Sequence, residues 1–365
     1  MSVPTQDESP AQLRTRSLVA ISLLRAGHNT AGARVFKELS AQSPPTIDRL
    51  AEHLRIPPAV RGQRVRHALA HGHRAVTAAR RLGLTILPVS SADYPDRLRQ
   101  IPDPPIVLWI RGVIESLSAP AVAIVGSRAA TPTGITVAAR LARELAEAGL
   151  VIVSGMARGV DAAAHRGALD ARGRTVAVLG SGADVIYPRQ HAAMAQEIVE
   201  RGAIVSELPP GTPPLPPNFP LRNRIISGLA RAVVVIEASE KSGSLITAKA
   251  ALEQGRDVLA VPGNVISGRH RGCHALIKDG ARLVETVEDV LDELKWPRTS
   301  ASVPATVNSL QLSELEERMA VGEPYSVDEL SEATGRPAHD LLAELGTLEI
   351  AGRVTRQAGS IFVRT

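Results

Sequence analysis

Cysteine is nearly absent. Cys273 is the only one in 365 residues, and one thiol excludes both an intrachain disulfide framework and a zinc site built on paired cysteines. Such usage fits a reducing compartment, and Cys273 itself reads as a small buried side chain. Aromatic residues are scarce too, with two Trp, three Tyr and three Phe, so there is little material for stacking surfaces and aliphatic packing carries the cores. The N-terminus begins Met1-Ser2-Val3-Pro4 and carries Asp7 and Glu8; with no basic segment leading an apolar run, no signal peptide is expected. The apolar stretch 17–24 is too short to cross a membrane. These absences predict a cytoplasmic chain with no membrane partner.

What is present is a 44% hydrophobic, net +5 chain. Its length predicts two or three domains of roughly 100 to 200 residues each. The charge is uneven. Lys and Arg exceed Asp and Glu by 7 in residues 1–118 and by 3 in 119–299, then fall short by 5 in 300–365. A basic body suits an anionic partner, but an acidic tail excludes a uniform nucleic-acid coat.

Residues 1–82 carry helical spacing of apolar residues, interrupted by Pro-Pro pairs at 44–45 and 57–58, and form an expected N-terminal helical, SAM-like domain. Residues 83–296 open with two extended segments, 83–88 and 106–110. Short apolar runs then alternate with helix-length segments, as successive βα units do. The expected strands are 121–125, 151–153, 175–179, 203–205, 233–236 and 258–261. The expected helices are 135–148, 162–172, 191–201, 222–230, 245–254 and 287–295. Most strands lack polar alternation, which predicts a sheet covered on both faces, an α/β, Rossmann-like, doubly wound and mainly parallel architecture. Residues 297–307 read as a Pro/Ser/Thr-rich linker. In 308–365, helices at 310–320, after Ser326 with Glu329 at capping-box spacing, and at 338–349, followed by a hairpin turning at Ala358-Gly359, predict a winged helix.

Ligands of open parallel sheets bind beyond the carboxyl ends of the strands. The segments there are Gly126-Ser127-Arg128, Ser154-Gly155 through Arg158-Gly159-Val160-Asp161, Lys241-Ser242-Gly243-Ser244, and Pro262-Gly263. Glycine permits close backbone approach and helix N-termini aim free N–H groups at anions. Arg128, Arg158 and Lys241 add full charges, and Ser244 and Thr247 add hydroxyls at a helix start. One such loop is commonly only a tight turn; several at one sheet edge predict a phosphate cradle. Arg222 and Arg224 flank Asn223 at an expected helix start, where two cations need an anion or a carboxylate such as Glu207 or Glu237 to answer them.

These residues resemble the DNA-processing protein A (DprA/Smf) family. The resemblance runs from about Gly83 to Thr286 and rests on Gly126-Ser127-Arg128, Ser154-Gly155 through Asp161, Phe219 through Leu229, Glu237-Ala238 before Lys241 through Ala248, and Pro262-Gly263, in order. It implies a Rossmann-like domain that binds single-stranded DNA, protects incoming DNA and helps load the RecA recombinase in natural transformation, usually as a homodimer. It also implies that Arg128 and Lys241 lead the DNA contacts, with Ser127, Ser242, Gly243 and Ser244 beside them. The chain departs from the family at Ala26-Gly27-His28-Asn29-Thr30, which keeps one glycine of a helix-hairpin-helix, and at His274, where the family usually has Asn.

Other chemistries fit less well. Asp161 and His165 stand four apart on a helix, but no third ligand is in register; they read as an N-cap aspartate and a buried histidine, and no metal is expected. His270 and His274 share that spacing, but Gly272 argues against a helix between them. Gly126-Ser127-Arg128 is not the G-x-G-x-x-G of a dinucleotide enzyme, so no cofactor is expected. A lysine-decarboxylase-like phosphoribohydrolase carries Pro-Gly-Gly-x-Gly-Thr and then a catalytic glutamate, whereas Pro262-Gly263 continues Asn264-Val265-Ile266-Ser267-Gly268. A binder rather than an enzyme is expected. The third expected winged-helix helix holds Asp340, Glu344 and Glu349 and no Lys or Arg, so it lacks the side chains of direct base readout.

Overall fold

The computed structural model describes residues 10–24, 56–297, 313–350, 352–357 and 360–364. It divides between Lys295 and Trp296 into two compact units. The N-terminal residues 1–9, the single-glycine segment Ala26–Thr30, the Pro44-Pro45 pair, nearly all of the expected linker and the turn at Ala358-Gly359 lie outside the described residues.

The first unit is built on a nine-stranded sheet in the order β1-β2-β6-β5-β4-β3-β7-β8-β9. The apolar runs form its centre: β3 (Ala121–Val125), β4 (Val151–Ser154), β5 (Thr175–Val178), β6 (Ala203–Ser206) and β7 (Ala232–Val235) are buried at every position. Helices on both faces exclude water, which is why these strands show no polar alternation. From β6 across to β8 (Asp257–Ala260) and β9 (Arg282–Leu283) all pairings are parallel. β2 (Val107–Gly112) joins β6 antiparallel, and β1 (Thr85–Pro88) joins β2 antiparallel. The two described N-terminal helices, α1 (Pro10–Leu24) and α2 (Pro58–Arg81), share this core: Leu18, Ile21, Val76 and Ala79 belong to one cluster with Leu87 and Trp109.

Three local expectations are corrected. The helix expected from 222 begins four residues earlier, as Asn218–Leu229, because Pro220 sits in its first turn, where a missing N–H costs nothing. Arg222, Asn223 and Arg224 therefore lie in the second turn. Gly272 does not prevent a helix; Arg271–Lys278 is helical, and the bare glycine lets its N–H donate to Ala238 O at 2.8 Å. A Cβ there would come within 2.8 Å of that same oxygen. β9 was not expected, since two exposed residues make no apolar run.

The second unit is a winged helix. Its helices are Glu314–Arg318, Val327–Thr334 and Ala338–Ile350, and Ser326 and Glu329 form the expected capping box. Leu315, Leu330, Leu341, Leu345 and Phe362 fill its core. Its sheet has three strands, β10 (Pro324–Ser326), β12 (Ile361–Arg364) and β11 (Val354–Gln357) in that order; the short β10 was not expected.

Candidate nucleic-acid interface

The chain leaves β3 in one direction through β4, β5 and β6, then returns to pair β7 on the other side of β3. Strand order reverses there, and the diverging loops leave a crevice beyond the carboxyl ends of β3 and β7. A cavity of about 640 Å³ occupies this place. Its lining includes Gly126, Ser127 and Arg128 after β3, Arg222 and Asn223 from the helix Asn218–Leu229, and Ser242, Gly243, Ser244 and Thr247 at the entry to the helix Ser244–Glu253.

Backbone contacts fix the two principal loops to each other. Ser127 N donates to Glu237 O at 2.7 Å, and Val160 N donates to Ser127 O at 3.2 Å. Gly159 has a φ of 74°, and a Cβ on it would meet Ser127 O at 2.3 Å, so the approach of the second loop to the first requires glycine. The Glu237 carboxylate, buried at the strand end, accepts from Thr131 N at 3.0 Å and Thr131 Oγ1 at 2.8 Å. This ties β7 to the start of the helix Pro132–Glu147.

The first turn of the helix Ser244–Glu253 brings the positive end of its dipole to the cavity wall, its leading N–H groups bonded within the turn: Leu245 N donates to Ser242 O at 3.1 Å and Ile246 N to Gly243 O at 3.2 Å. Gly243 is the N-cap and supplies no side-chain cap, while the Ser242 and Ser244 hydroxyls lie 2.7 Å apart. Asn223 Nδ2 donates to Gly243 O at 3.3 Å, which braces that loop from below. Lys241 is exposed on the same turn, outside the cavity lining, and Arg158 is likewise exposed and outside it.

The arginines divide by role. Arg128 is exposed and its guanidinium lies 5.2 Å from the centre of the Phe219 ring, within cation–π range. Arg222 is buried, donates from Nη1 to Val178 O at 2.7 Å, and has its pKa drawn down to about 10 by burial, against the opposing pull of Asp161. Asp161 in turn is raised by burial, and Arg222 and the Ala157 N–H counter that shift. Arg224 pairs with Glu207 at 2.5 Å and with Asp103 at 3.3 Å, so carboxylates answer its charge. Gly155 lies outside the lining too and leaves the space that Arg222 fills.

Asp161 is not an N-cap. Gly159 holds that place, and Asp161, one residue into the helix Val160–Asp170, accepts from Ala157 N at 3.3 Å. His165 is fully buried, with Nδ1 2.6 Å from Thr175 Oγ1. Because the Thr175 hydroxyl donates to Ile152 O at 2.7 Å, it is Nδ1 that carries the proton. Burial pushes the His165 pKa to about 3, with His191 and Arg222 adding to the shift. Cys273 is buried, and burial pushes its thiol up to about 11. His274 Nε2 lies 3.1 Å from Gly263 O, so this position bonds the strand-end loop after β8. Among the described residues no three His, Cys, Asp or Glu side chains are grouped to hold a metal ion, and no described helix is long and apolar enough to cross a membrane.

Two aromatic residues at the cavity were not foreseen. Phe219 and Tyr187 pack at 5.8 Å between ring centres and both line it. Phe219 stands in the same segment as Arg222, but nothing local to Tyr187 signals that it reaches this place.

The family model described as DNA recombination-mediator protein A matches residues 85–295, more than half of the chain. The chain belongs to the DprA/Smf family. All residues lining the cavity fall inside that DprA/Smf match. The DprA winged helix domain model matches residues 302–360. Protein Smf of Escherichia coli is 40% identical over 284 residues, covering 75% of this chain and 76% of that protein. DNA processing protein DprA of Streptococcus pneumoniae is 46% identical over 203 residues, 56% of this chain and 72% of that one. The X-ray structure of the Streptococcus pneumoniae DprA superposes with a TM-score of 0.67 at 36% identity, covering 79% of this chain and 99% of that chain. A Helicobacter pylori DprA structure, described for its unique single-stranded DNA binding mode, gives a TM-score of 0.53 at 31% identity, covering 58% of this chain and 95% of that chain.

Proposed function

We propose that this DprA/Smf chain binds single-stranded DNA along the carboxyl edge of its sheet and does not process it chemically. The observation that carries the reading is the convergence on one cavity of an exposed cation, Arg128, a helix N-terminus, Ser244, and an aromatic ring, Phe219. Phosphates fit the Gly126-Ser127-Arg128 loop and the Ser242-Gly243-Ser244 turn, with Thr247 and Asn223 beside them. Lys241 and Arg158, outside the lining, extend the positive rim. A nucleobase fits against Phe219 and Tyr187, so stacking supplements charge here despite the scarcity of aromatics elsewhere. Arg222, Arg224, Gly155 and Gly159 act by holding this geometry.

The single-stranded DNA binding mode described for the Helicobacter pylori relative supports the ligand. Kinship with the DprA/Smf proteins supports the wider role: protection of incoming DNA and loading of the RecA recombinase in natural transformation, by a cytoplasmic homodimer. Gel-shift titration of single- and double-stranded oligonucleotides at two salt concentrations, with a nucleotide-hydrolysis assay on the same preparation, tests the reading. Single-strand preference without turnover is expected. Nucleotide turnover without DNA binding would instead make the cavity the site of a phosphoribohydrolase.

A further inference from the structure

Helix α2 has a solvent face rich in arginine. Its 24 residues include six arginines and three histidines and no Asp or Glu. The inward side is apolar and small: Val65, Ala68, Gly72, Ala75, Val76 and Ala79 recur three and four apart and are buried. Gly72 lets α1 approach, since a Cβ there would lie 3.2 Å from Ala20 N. With that side fixed, the helical period turns Arg64, His67, His71, Arg74 and Arg81 outward in one stripe. Arg66, His73 and Arg80, seven residues apart, form a second stripe beside it. All eight are exposed.

Several arginines elsewhere in this unit are answered by carboxylates. Arg166 pairs with Glu197, Arg224 with Glu207 and Arg282 with Glu293. Among the described residues no carboxylate forms an ion pair with Arg64, Arg66, Arg74, Arg80 or Arg81. Within the first stripe the neighbours three and four apart include His67 and His71, and like charges at that spacing repel when these rings are protonated. His71 registers the repulsion: after burial, Arg74 and His67 are what lower its pKa. Such an array is stabilised by a polyanion laid along it. The face holds no Phe, Tyr or Trp and its fixed charges are guanidinium groups, so it suits phosphates more than bases. Arg64 to Arg81 spans about 26 Å along the axis.

We propose that the outer face of α2 is a second phosphate-binding surface, which takes the continuation of the single strand gripped at the carboxyl edge of the sheet. The proposal rests on that reading of the cavity. α2 packs beside β1, and β1 and β3 are the first and sixth strands of the sheet. Five interstrand steps separate them by about 24 Å. A strand that only fills the cavity does not reach α2, whereas a longer one does.

The test uses the full chain carrying Arg64→Gln, Arg74→Gln and Arg81→Gln together, with oligothymidylates of about 6 and about 30 nucleotides as probes. Affinity for the short probe should be unchanged. Affinity for the long probe at low salt should fall about tenfold or more, and its salt slope by about two, from three lost contacts to a single strand. The corresponding triple Lys variant should restore both. Equal effects on the two lengths, or no effect on either, would overturn the proposal. So would a loss confined to duplex DNA, which would make this face a duplex-binding surface. Arg128→Ala separates the two ideas: if it leaves the short probe untouched while the α2 variant weakens the long one, the cavity reading fails and the α2 surface stands.

Discussion

The guanidinium of Arg222 fills the space in which a side chain at position 155 would begin: a Cβ on Gly155 would lie 1.8 Å from Arg222 Nη1. Val178 O holds that nitrogen, and burial denies the guanidinium another place to go. Gly155→Ala is therefore expected to destabilise the fold by about 1–3 kcal/mol, the range for overpacking a dense interior. Urea unfolding with an unchanged m value checks it; full stability would mean that Arg222 is free to swing out.

Arg224 predicts the opposite of a DNA contact. Removing it takes from the partly buried Glu207 the cation it pairs with and removes one partner of Asp103. Arg224→Ala should lower stability by about 1–3 kcal/mol, the cost of a polar group left unsatisfied. The salt slope of single-strand binding should stay the same. A slope reduced without loss of stability would place Arg224 on the strand.

Arg128 and Phe219 should separate charge from stacking. Arg128→Ala is expected to weaken all single strands alike and to reduce the salt slope by about 0.7 to 1. Phe219→Ala should reduce affinity by about 1–3 kcal/mol at constant slope, with little effect on an abasic oligonucleotide. Salt titrations on both variants measure the two quantities directly. An unchanged slope for Arg128→Ala would remove this residue from the phosphate path.

His165 makes stability fall with acid. Its pKa is about 3 in the folded chain against an ordinary 6.5, so the neutral ring is favoured by folding. Its contribution is complete above pH 6.5 and declines by about 1.4 kcal/mol per pH unit below it until the folded pKa is reached. Between pH 7 and 5 the wild type should lose stability more steeply than His165→Gln, as followed by denaturant midpoints. Parallel pH profiles would refute this account.

The parallel sheet can be read from the sequence because each central strand is an unbroken apolar run, a direct result of burial on both faces. β9 and β10 carry no such signal: Arg282 and Leu283 are exposed, and Pro324-Tyr325-Ser326 lies at an edge. The glycine loops are also readable, since conformational demand selects the residue itself. What sequence does not disclose is the direction of a long side chain. Arg128 and Arg222 both stand near glycine-rich turns, yet one lies over Phe219 and the other is drawn inward by Val178 O and Asp161, partners set by a strand and a helix distant in sequence. Tyr187 meets Phe219 for the same non-local reason.

The return of the chain from β6 to β7 also orders events in time. Contacts between segments distant in sequence form late, after the entropy of closing the intervening loop has been overcome. A nascent chain released as far as Ser206 can pair β3 through β6 and already displays Arg128. It has neither Glu237, whose carbonyl anchors Ser127, nor Ser244. The cradle therefore closes only once the second half of the sheet has emerged, and a half-synthesised molecule has no grip to offer a passing strand.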